Sequence, residues 1–197
     1  MCFATAGKFK PEAESQPAVF LDRDGTLNRD KGYVYRWEDW EWLPGVPEAL
    51  FKLKEAGYKL VVVTNQAGVA KGYYSEEAVR ELHRRANLDL AGRGPAAAAL
   101  DAFYYCPHHP GYSGPCSCRK PAPGLIRRAA AEHNLDLARS FLVGDKLSDT
   151  AAGLAAGCRA LLVLTGYGRT QAAGAPPDLT MAEDLAEATR LILDAGL

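Results

Sequence analysis

Short runs of apolar residues recur along the chain, and each ends in polar residues or glycine. The runs cover residues 18–21, 60–63, 103–105, 141–143 and 161–164. Because polar residues do not alternate with apolar ones inside them, they are typical of parallel strands covered on both faces. Helical patterns lie between the runs, so the sequence predicts an α/β fold with a doubly wound, Rossmann-like parallel sheet.

Residues typical of helix N-termini mark where the predicted helices begin. Ser75 can cap a helix whose first turn carries two glutamates, because a serine hydroxyl accepts from a free backbone N–H. Thr180 and Glu183 have the spacing of a capping box, which predicts that the last helix begins there. The predicted helix starts are Pro47, Ser75, Pro123, about Ser148 and Thr180.

Polar side chains follow three of the predicted strands at the point where each strand ends. Asp22 follows the first run, Thr64 and Asn65 the second, and Asp145 the fourth. Ligands of open parallel sheets bind at the carboxyl ends of the strands, where the strand order reverses. The sequence therefore predicts a site at this edge of the sheet.

The segment from Asp22 to Leu27 places two carboxylates, Asp22 and Asp24, directly after a buried strand. Two close carboxylates repel each other, so a cation is expected between them. Oxygen ligands from Asp22, Asp24 and Asp145 suit Mg²⁺, which often bridges to phosphate. The alternative, a solvated Asp/Gly turn, loses weight because Lys120 and Asp149 follow in order along the chain.

Three of the five cysteines lie within thirteen residues of the sequence. Cys106, Cys116 and Cys118, with an imidazole from His108 or His109, form a closed four-ligand set for structural Zn²⁺. An odd number of cysteines in a tight cluster favours metal ligation in a reducing compartment over a disulfide framework. A redox-sensitive cluster without metal is the alternative.

The composition of the 197 residues, 48% hydrophobic and 24% charged, is that of a globular protein. With 23 basic and 24 acidic residues the net charge is −1, which disfavours a nucleic-acid partner. No apolar run is long enough for a membrane span, and residues 1–17 lack the apolar stretch of a signal peptide. We expect a mobile tail over 1–17, one domain over 18–197 and a cytoplasmic location.

The order of these motifs resembles the four motifs of the haloacid dehalogenase-like phosphatases. The resemblance implies that Asp22 is the nucleophile and Asp24 the general acid/base. It also implies that Thr64 and Lys120 hold the phosphoryl oxygens and that Asp145 completes the Mg²⁺ site. Asp149 is then a residue that orients its neighbours, or simply an acid at a helix N-terminus.

The cysteine loop, residues 106–118, narrows the resemblance to the heptose-1,7-bisphosphate 7-phosphatases, with the histidinol-phosphate phosphatases as close relatives. It favours His108 as the fourth zinc ligand. Ala67 and Lys71 depart from the serine and arginine expected there, which leaves the sugar preference open. The substrate contacts implied are Asp30, Lys31, Gly32, Tyr33, Asn65, Gln66, Ala67, Arg119 and Lys146.

The spacing between the motifs leaves no room for a separate cap domain. Residues 28–43 and the cysteine loop must then form the walls of the substrate pocket. The resemblance thus implies a capless phosphatase acting on a small phosphorylated sugar through an aspartyl-phosphate, and we expect a monomer. A non-catalytic binding module is the alternative of another class, although such a module would have lost Asp22 or Asp24.

Overall fold

The structure, a computed structural model, describes residues 15–93 and 98–195. Over these residues, six parallel strands form one sheet in the order β3-β2-β1-β4-β5-β6, which confirms the doubly wound architecture. The five predicted strands are present. The strands are β1 (Ala18–Leu21), β2 (Lys59–Asn65), β3 (Ala102–Cys106), β4 (Phe141–Gly144), β5 (Arg159–Val163) and β6 (Thr180–Ala182).

Helices cover both faces of the sheet and bury the apolar strands. The helices are α1 (Val46–Glu55), α2 (Glu76–Ala91), α3 (Pro110–Ser113), α4 (Gly124–His133), α5 (Leu147–Ala156), α6 (Gly168–Gln171) and α7 (Leu185–Asp194). Helices α1 and α7 contribute to one core cluster and α4 and α5 to the other. Alternate residues of β1 belong to the two clusters, as expected for a strand covered on both sides.

Most predicted helix starts agree with the structure. Pro47 lies in the first turn of α1, and the Ser75 hydroxyl accepts from Ala78 N at the start of α2. The prediction at Thr180 is wrong. Thr180 begins β6, and Asp184 caps α7 by accepting from Glu187 N. The three-residue edge strand was too short to show a pattern of its own.

The strand order reverses between β1 and β4, which are hydrogen-bonded neighbours. Their carboxyl ends open toward the same edge of the sheet, together with that of β2. Residues 22–26, 64–66 and 145–149 start at these three ends and so meet above the reversal point. The fold therefore supplies the location that the sequence predicts for the site.

The segment between β1 and α1 contains only a 3-10 turn, Trp37–Asp39, which agrees with a capless architecture. Trp40 packs edge-on against Trp42 and nearly parallel to Trp37, and the three rings form a small aromatic cluster. Residues 1–14 of the predicted tail lie outside the described residues. Gln16 forms an isolated β-bridge with Leu135, and Pro17 is buried. No helix in the described part of the chain is long and apolar enough to cross a membrane.

Candidate active site

A buried ion-pair cluster stands at the carboxyl ends of β1 and β4. The Lys120 ammonium lies 2.7 Å from Asp22 Oδ1 and 2.8 Å from Asp149 Oδ1, and it donates to the carbonyl of Val63 at 2.6 Å. These three acceptors match the three N–H groups of a lysine. Lys120 is thereby fixed between two carboxylates with little freedom to rotate.

The side chain of Asn65 holds the backbone of Lys120 in place. Asn65 Nδ2 donates to the Lys120 carbonyl and Asn65 Oδ1 accepts from Lys120 N, both at 3.1 Å. The last residue of β2 thus positions the lysine, which comes from a loop 55 residues further along the chain. Asn65 therefore acts on the site through Lys120.

The charges of this cluster favour an ionised Asp22. Burial alone would raise the pKa of Asp22, but the ammonium groups of Lys120 and Lys146 outweigh it and hold that pKa below its ordinary value. Burial would lower the pKa of Lys120, yet Asp149 and Asp22 raise it above its ordinary value. Asp22 is therefore available as a carboxylate nucleophile.

Asp145 is fully buried and only half satisfied. Its Oδ2 accepts from Tyr167 N at 2.8 Å, whereas its Oδ1 has no hydrogen bond and only an ion pair with Lys146 Nζ at 3.4 Å. Burial and the nearby Asp22 charge raise the pKa of Asp145 to about 7. A buried carboxylate oxygen without a hydrogen bond is costly, so this atom is suited to a metal cation in addition to the Lys146 ammonium.

Two glycines make room for the Asp145 carboxylate. A Cβ on Gly25 or on Gly166 would lie 2.2 Å from Asp145 Oδ2, which is far too short for a contact between two such atoms. Gly25 also has φ +91°, in the left-handed region that glycine adopts without strain. Gly25 therefore allows the chain to turn after Asp24 and leaves room for the Asp145 carboxylate.

The carboxylates that approach one another differ in part from the predicted metal ligands. One oxygen each of Asp22, Asp145 and Asp149 lies within 4.8 Å of the others. Asp24 is not in this group, and its carboxylate instead accepts hydrogen bonds from Arg23, Asn28 and Gln66. The prediction of Asp24 as a metal ligand gains no support from its side chain.

Asp24 is held by a polar network beside the pocket. Gln66 Nε2 donates to Asp24 Oδ2 at 3.1 Å and to Thr64 Oγ1 at 3.0 Å, and Gln66 Oε1 accepts from the Tyr74 hydroxyl at 2.7 Å. Gln66 and Thr64 are both buried. The network fixes the predicted acid/base and the predicted phosphate-binding hydroxyl relative to each other.

Most of these groups line a cavity of about 320 Å³, whereas Asp145 is buried outside its lining. Of the predicted substrate contacts, six line it and Lys31, Gly32 and Arg119 do not. Lys31 instead pairs with Glu41, and Arg119 donates to the His108 carbonyl. The lining residues are Asp22, Asp24, Asp30, Tyr33, Thr64, Asn65, Gln66, Ala67, Tyr74, Lys120, Lys146, Ser148, Asp149 and Tyr167.

Sequence reasoning missed three of the lining residues: Tyr74, Ser148 and Tyr167. Ser148 lies one position before Asp149 in the first turn of α5, and its place in the motif could have indicated it. Tyr167 follows the fifth strand, at the same sheet edge as Asp145. The ring of Tyr167 lies 4.7 Å from Lys146 Nζ, so it orients that ammonium at the cavity.

The cysteine loop forms a compact cluster with the composition of a zinc site. The three Sγ atoms are 3.1–3.6 Å apart, and His108 Nδ1 lies 3.3 Å from Cys118 Sγ and 3.7 Å from Cys106 Sγ. Zn–S bonds of about 2.3 Å in a tetrahedron place sulfurs about 3.8 Å apart. The four side chains therefore approach the spacing that one Zn²⁺ requires.

The two candidate histidines have different environments. His108 points its Nδ1 into the thiol cluster, whereas His109 Nδ1 accepts from Gly111 N and caps α3. The geometry favours His108 over His109. Cys118 directly precedes Arg119 and Lys120, so the cluster anchors the segment that carries the buried lysine.

The chain is similar to proteins of known family. A model of the HAD-hydrolase-like family matches residues 117–188. The D-glycero-beta-D-manno-heptose-1,7-bisphosphate 7-phosphatase of Photorhabdus laumondii is 48% identical over 156 residues, 76% of this chain and 81% of that protein. The D-glycero-D-manno-heptose-1,7-bisphosphate 7-phosphatase of Thermosynechococcus vestitus is 43% identical over 190 residues, 90% of this chain and 95% of that one.

Solved structures are similar over nearly their whole length. The D,D-heptose 1,7-bisphosphate phosphatase from B. bronchiseptica, complexed with magnesium and phosphate, matches with a TM-score of 0.83 at 36% identity. The match covers 91% of this chain and 99% of that one. The corresponding enzyme from Burkholderia thailandensis matches with a TM-score of 0.67 at 31% identity, covering 90% and 99%.

Proposed function

We propose that this chain, which belongs to the heptose-1,7-bisphosphate 7-phosphatases of the haloacid dehalogenase-like superfamily, removes the 7-phosphate of D-glycero-D-manno-heptose 1,7-bisphosphate. The observation that carries the proposal is the buried Lys120 ammonium, which lies 2.7 Å from the Asp22 carboxylate at the end of β1. This arrangement holds a carboxylate nucleophile beside a fixed cation, as attack on a phosphate dianion requires.

The donor set fits Mg²⁺. Asp22, Asp145 and Asp149 bring one carboxylate oxygen each within 4.8 Å of the others, and Asp145 Oδ1 has no hydrogen bond of its own. Asp22 and Asp145 would hold the ion, with Asp149 at the same centre. When bound, Mg²⁺ screens the charge of the phosphoryl oxygens so that a carboxylate can approach phosphorus. The magnesium and phosphate named for the B. bronchiseptica structure support Mg²⁺ as the ion.

Asp22 would act as the nucleophile in the first step. Its oxygen forms a bond to phosphorus while the bond from phosphorus to the sugar oxygen breaks, which leaves an aspartyl-phosphate on Asp22. Lys120 and the Thr64 hydroxyl are placed to stabilise charge on the phosphoryl oxygens. Asp24 gives its proton to the departing sugar oxygen, so that an alcohol leaves.

Asp24 would act as a base in the second step. It takes a proton from water, whose oxygen attacks phosphorus while the bond from phosphorus to Asp22 breaks. Inorganic phosphate leaves, Asp22 is restored as a carboxylate, and Asp24 is again protonated. The same residue therefore serves both half-reactions from one position, which Gln66 and Asn28 help to fix.

The pocket wall supplies groups for the rest of the sugar. Asp30, Tyr33 and Lys146 line the cavity and come from two different loops. Gly32 and Lys31 would act by shaping this wall, since Gly32 N donates to Asp30 Oδ1 at 2.9 Å. Arg119, which is anchored at the His108 carbonyl, would have to turn from that contact to reach a substrate.

A panel of phosphate esters tests the proposed function. With Mg²⁺ present, kcat/KM for heptose 1,7-bisphosphate is expected to exceed that for histidinol phosphate and for simple sugar monophosphates. NMR of the product should show loss of the 7-phosphate. A higher kcat/KM for histidinol phosphate would overturn the substrate assignment, and an absence of turnover on every ester would favour a binding module.

Gly25→Ala should disturb the Mg²⁺ site through a steric clash with Asp145. The new Cβ would need the space of Asp145 Oδ2, so that carboxylate must move. We expect kcat/KM to fall about tenfold or more, with a higher Mg²⁺ concentration needed for half-activation. Gly57→Ala is the matched control, because Gly57 has φ +89° but nothing within 4 Å of its Cβ position. Equal activity of the two variants would contradict the assignment of Asp145.

The thiol cluster would hold a structural Zn²⁺ through Cys106, His108, Cys116 and Cys118. No fifth ligand from the described residues is needed, since four side chains close a tetrahedral shell. The ion would brace the loop leading into Arg119 and Lys120 and so keep the lysine in its buried position.

Zinc removal is expected to unfold this loop and to weaken activity indirectly. Elemental analysis should find about one Zn per chain, and Cys116→Ser/Cys118→Ser should abolish it and lower the melting temperature. The control is Cys158→Ala, since Cys158 is buried far along the chain and stands outside the cluster. A zinc-free protein with unchanged stability and activity would refute the assignment.

The thiol cluster and the catalytic cavity also bear on location and oligomeric state. Zinc ligation requires reduced thiols, so the clustered cysteines favour a reducing compartment and support a cytoplasmic location. A complete set of catalytic side chains on one chain supports activity as a monomer. Sedimentation of the active enzyme would test the latter, because activity confined to a dimer would contradict it.

A further inference from the structure

Arg23 follows the nucleophile Asp22 in the sequence, and its buried side chain lies outside the lining of the cavity. The Arg23 side chain has no solvent exposure. Its Nη2 lies 2.9 Å from Asp24 Oδ1 and 2.7 Å from Asp24 Oδ2, and its Nε lies 3.1 Å from Oδ1. A buried guanidinium needs acceptors on its other edges as well, because an unpaired buried charge is costly.

Those further acceptors come from outside the site. Arg23 Nη2 donates to the Val34 carbonyl at 2.6 Å, and Arg23 Nη1 lies 3.3 Å from Nε2 of His83 on helix α2. His83 is buried, and its ring stacks on Phe103 with centroids 4.6 Å apart. Burial, reinforced by the charge of Arg23, lowers the pKa of His83 well below its ordinary value. His83 is therefore a neutral imidazole whose Nε2 accepts from Arg23.

We propose that His83 and Arg23 are positioning residues for Asp24, forming a buried chain that aims its carboxyl group for proton transfer. The inference rests on the proposed function. His83 fixes the guanidinium, the guanidinium fixes Asp24, and Asp24 exchanges a proton with the leaving oxygen and then with water.

The leaving group of the ester separates a positioning role from a packing role. A sugar alkoxide needs a proton to depart, whereas p-nitrophenolate departs without one. A misplaced Asp24 should therefore lower kcat/KM for the sugar ester and spare it for p-nitrophenyl phosphate. Because the second step still needs Asp24 as a base, kcat for the aryl ester should fall and a burst of p-nitrophenolate should appear.

The variants His83→Leu and His83→Gln make the comparison. With His83→Leu we expect kcat/KM for the heptose bisphosphate to fall about tenfold or more. The loss should be smaller than the ~10²–10⁴-fold that a positioned general acid contributes, because Asp24 is still present. The value for p-nitrophenyl phosphate should stay within about threefold of the parent. His83→Gln keeps an acceptor for Arg23 and should restore most of the loss. His133→Leu, on the exposed surface of α4, is the matched control.

Two results would overturn the inference: an equal loss on both esters, which indicates a packing defect, and no loss on either. If His83→Leu fails to fold, Arg23→Lys replaces it. A lysine keeps the charge but cannot hold both Asp24 oxygens and His83 together, so the same selective loss is expected. Failure of the parent enzyme to hydrolyse heptose bisphosphate would instead count against the proposed function. The burst of p-nitrophenolate would still test whether His83 and Arg23 position Asp24.

Discussion

Asp22→Asn is expected to abolish turnover while leaving the fold intact. An amide at position 22 has no anionic oxygen to attack phosphorus, so the aspartyl-phosphate cannot form. Loss of a covalent nucleophile costs roughly 10⁴–10⁶-fold in kcat. The decrease should be seen with the sugar ester and with p-nitrophenyl phosphate alike, because both need the same first bond.

The control for this variant is Asp178→Asn, which makes the same chemical change at an exposed position. Its kcat should equal that of the parent. Circular dichroism should show that both variants retain the α/β fold. Substantial turnover by folded Asp22→Asn would remove the covalent mechanism.

Lys120→Met should damage both activity and stability. The ammonium is buried between Asp22 and Asp149, so its removal leaves two buried carboxylates without their compensating charge. Breaking one side of a buried ion pair typically costs about 3–5 kcal/mol in the free energy of unfolding. Turnover should fall about 10²–10³-fold, because a cation that stabilises the phosphoryl oxygens is lost.

A second change separates the two effects of Lys120→Met. Adding Asp149→Asn removes one of the stranded charges, so the double variant should regain part of the free energy of unfolding. It should regain no activity, since the cation is still absent. Urea denaturation and steady-state kinetics measure both quantities. Restored activity in the double variant would show that Lys120 acts only by balancing Asp149.

The sheet and the site's location were predictable because their signals are local. Apolar runs without alternation indicate covered parallel strands, and Asp22 and Asp145 directly follow two of them. The edge strand β6 was not predictable, because three residues show no periodicity and Thr180 with Glu183 imitates a capping box. Asp184, the actual N-cap, lies only one residue beyond Glu183.

Partners that are distant in sequence explain what the sequence could not settle. Asp149 accepts from Lys146 N at 3.0 Å at the start of α5, as an acid at a helix N-terminus would. It also pairs with Lys120, as a residue that orients its neighbours would. Arg23 gave no signal, because an arginine in an acidic loop usually faces solvent. Its burial depends on His83 from α2, 60 residues further along the chain.

The most direct test of the account is to find the phosphoryl group on Asp22. Asp24→Asn, which slows the second step, is mixed with labelled p-nitrophenyl phosphate and quenched in acid. The label is expected on the tryptic peptide that ends at Arg23, where Asp22 is the only aspartate, and hydroxylamine should release it. Turnover of the ester with no label on that peptide, or the same label in Asp22→Asn, would contradict the account.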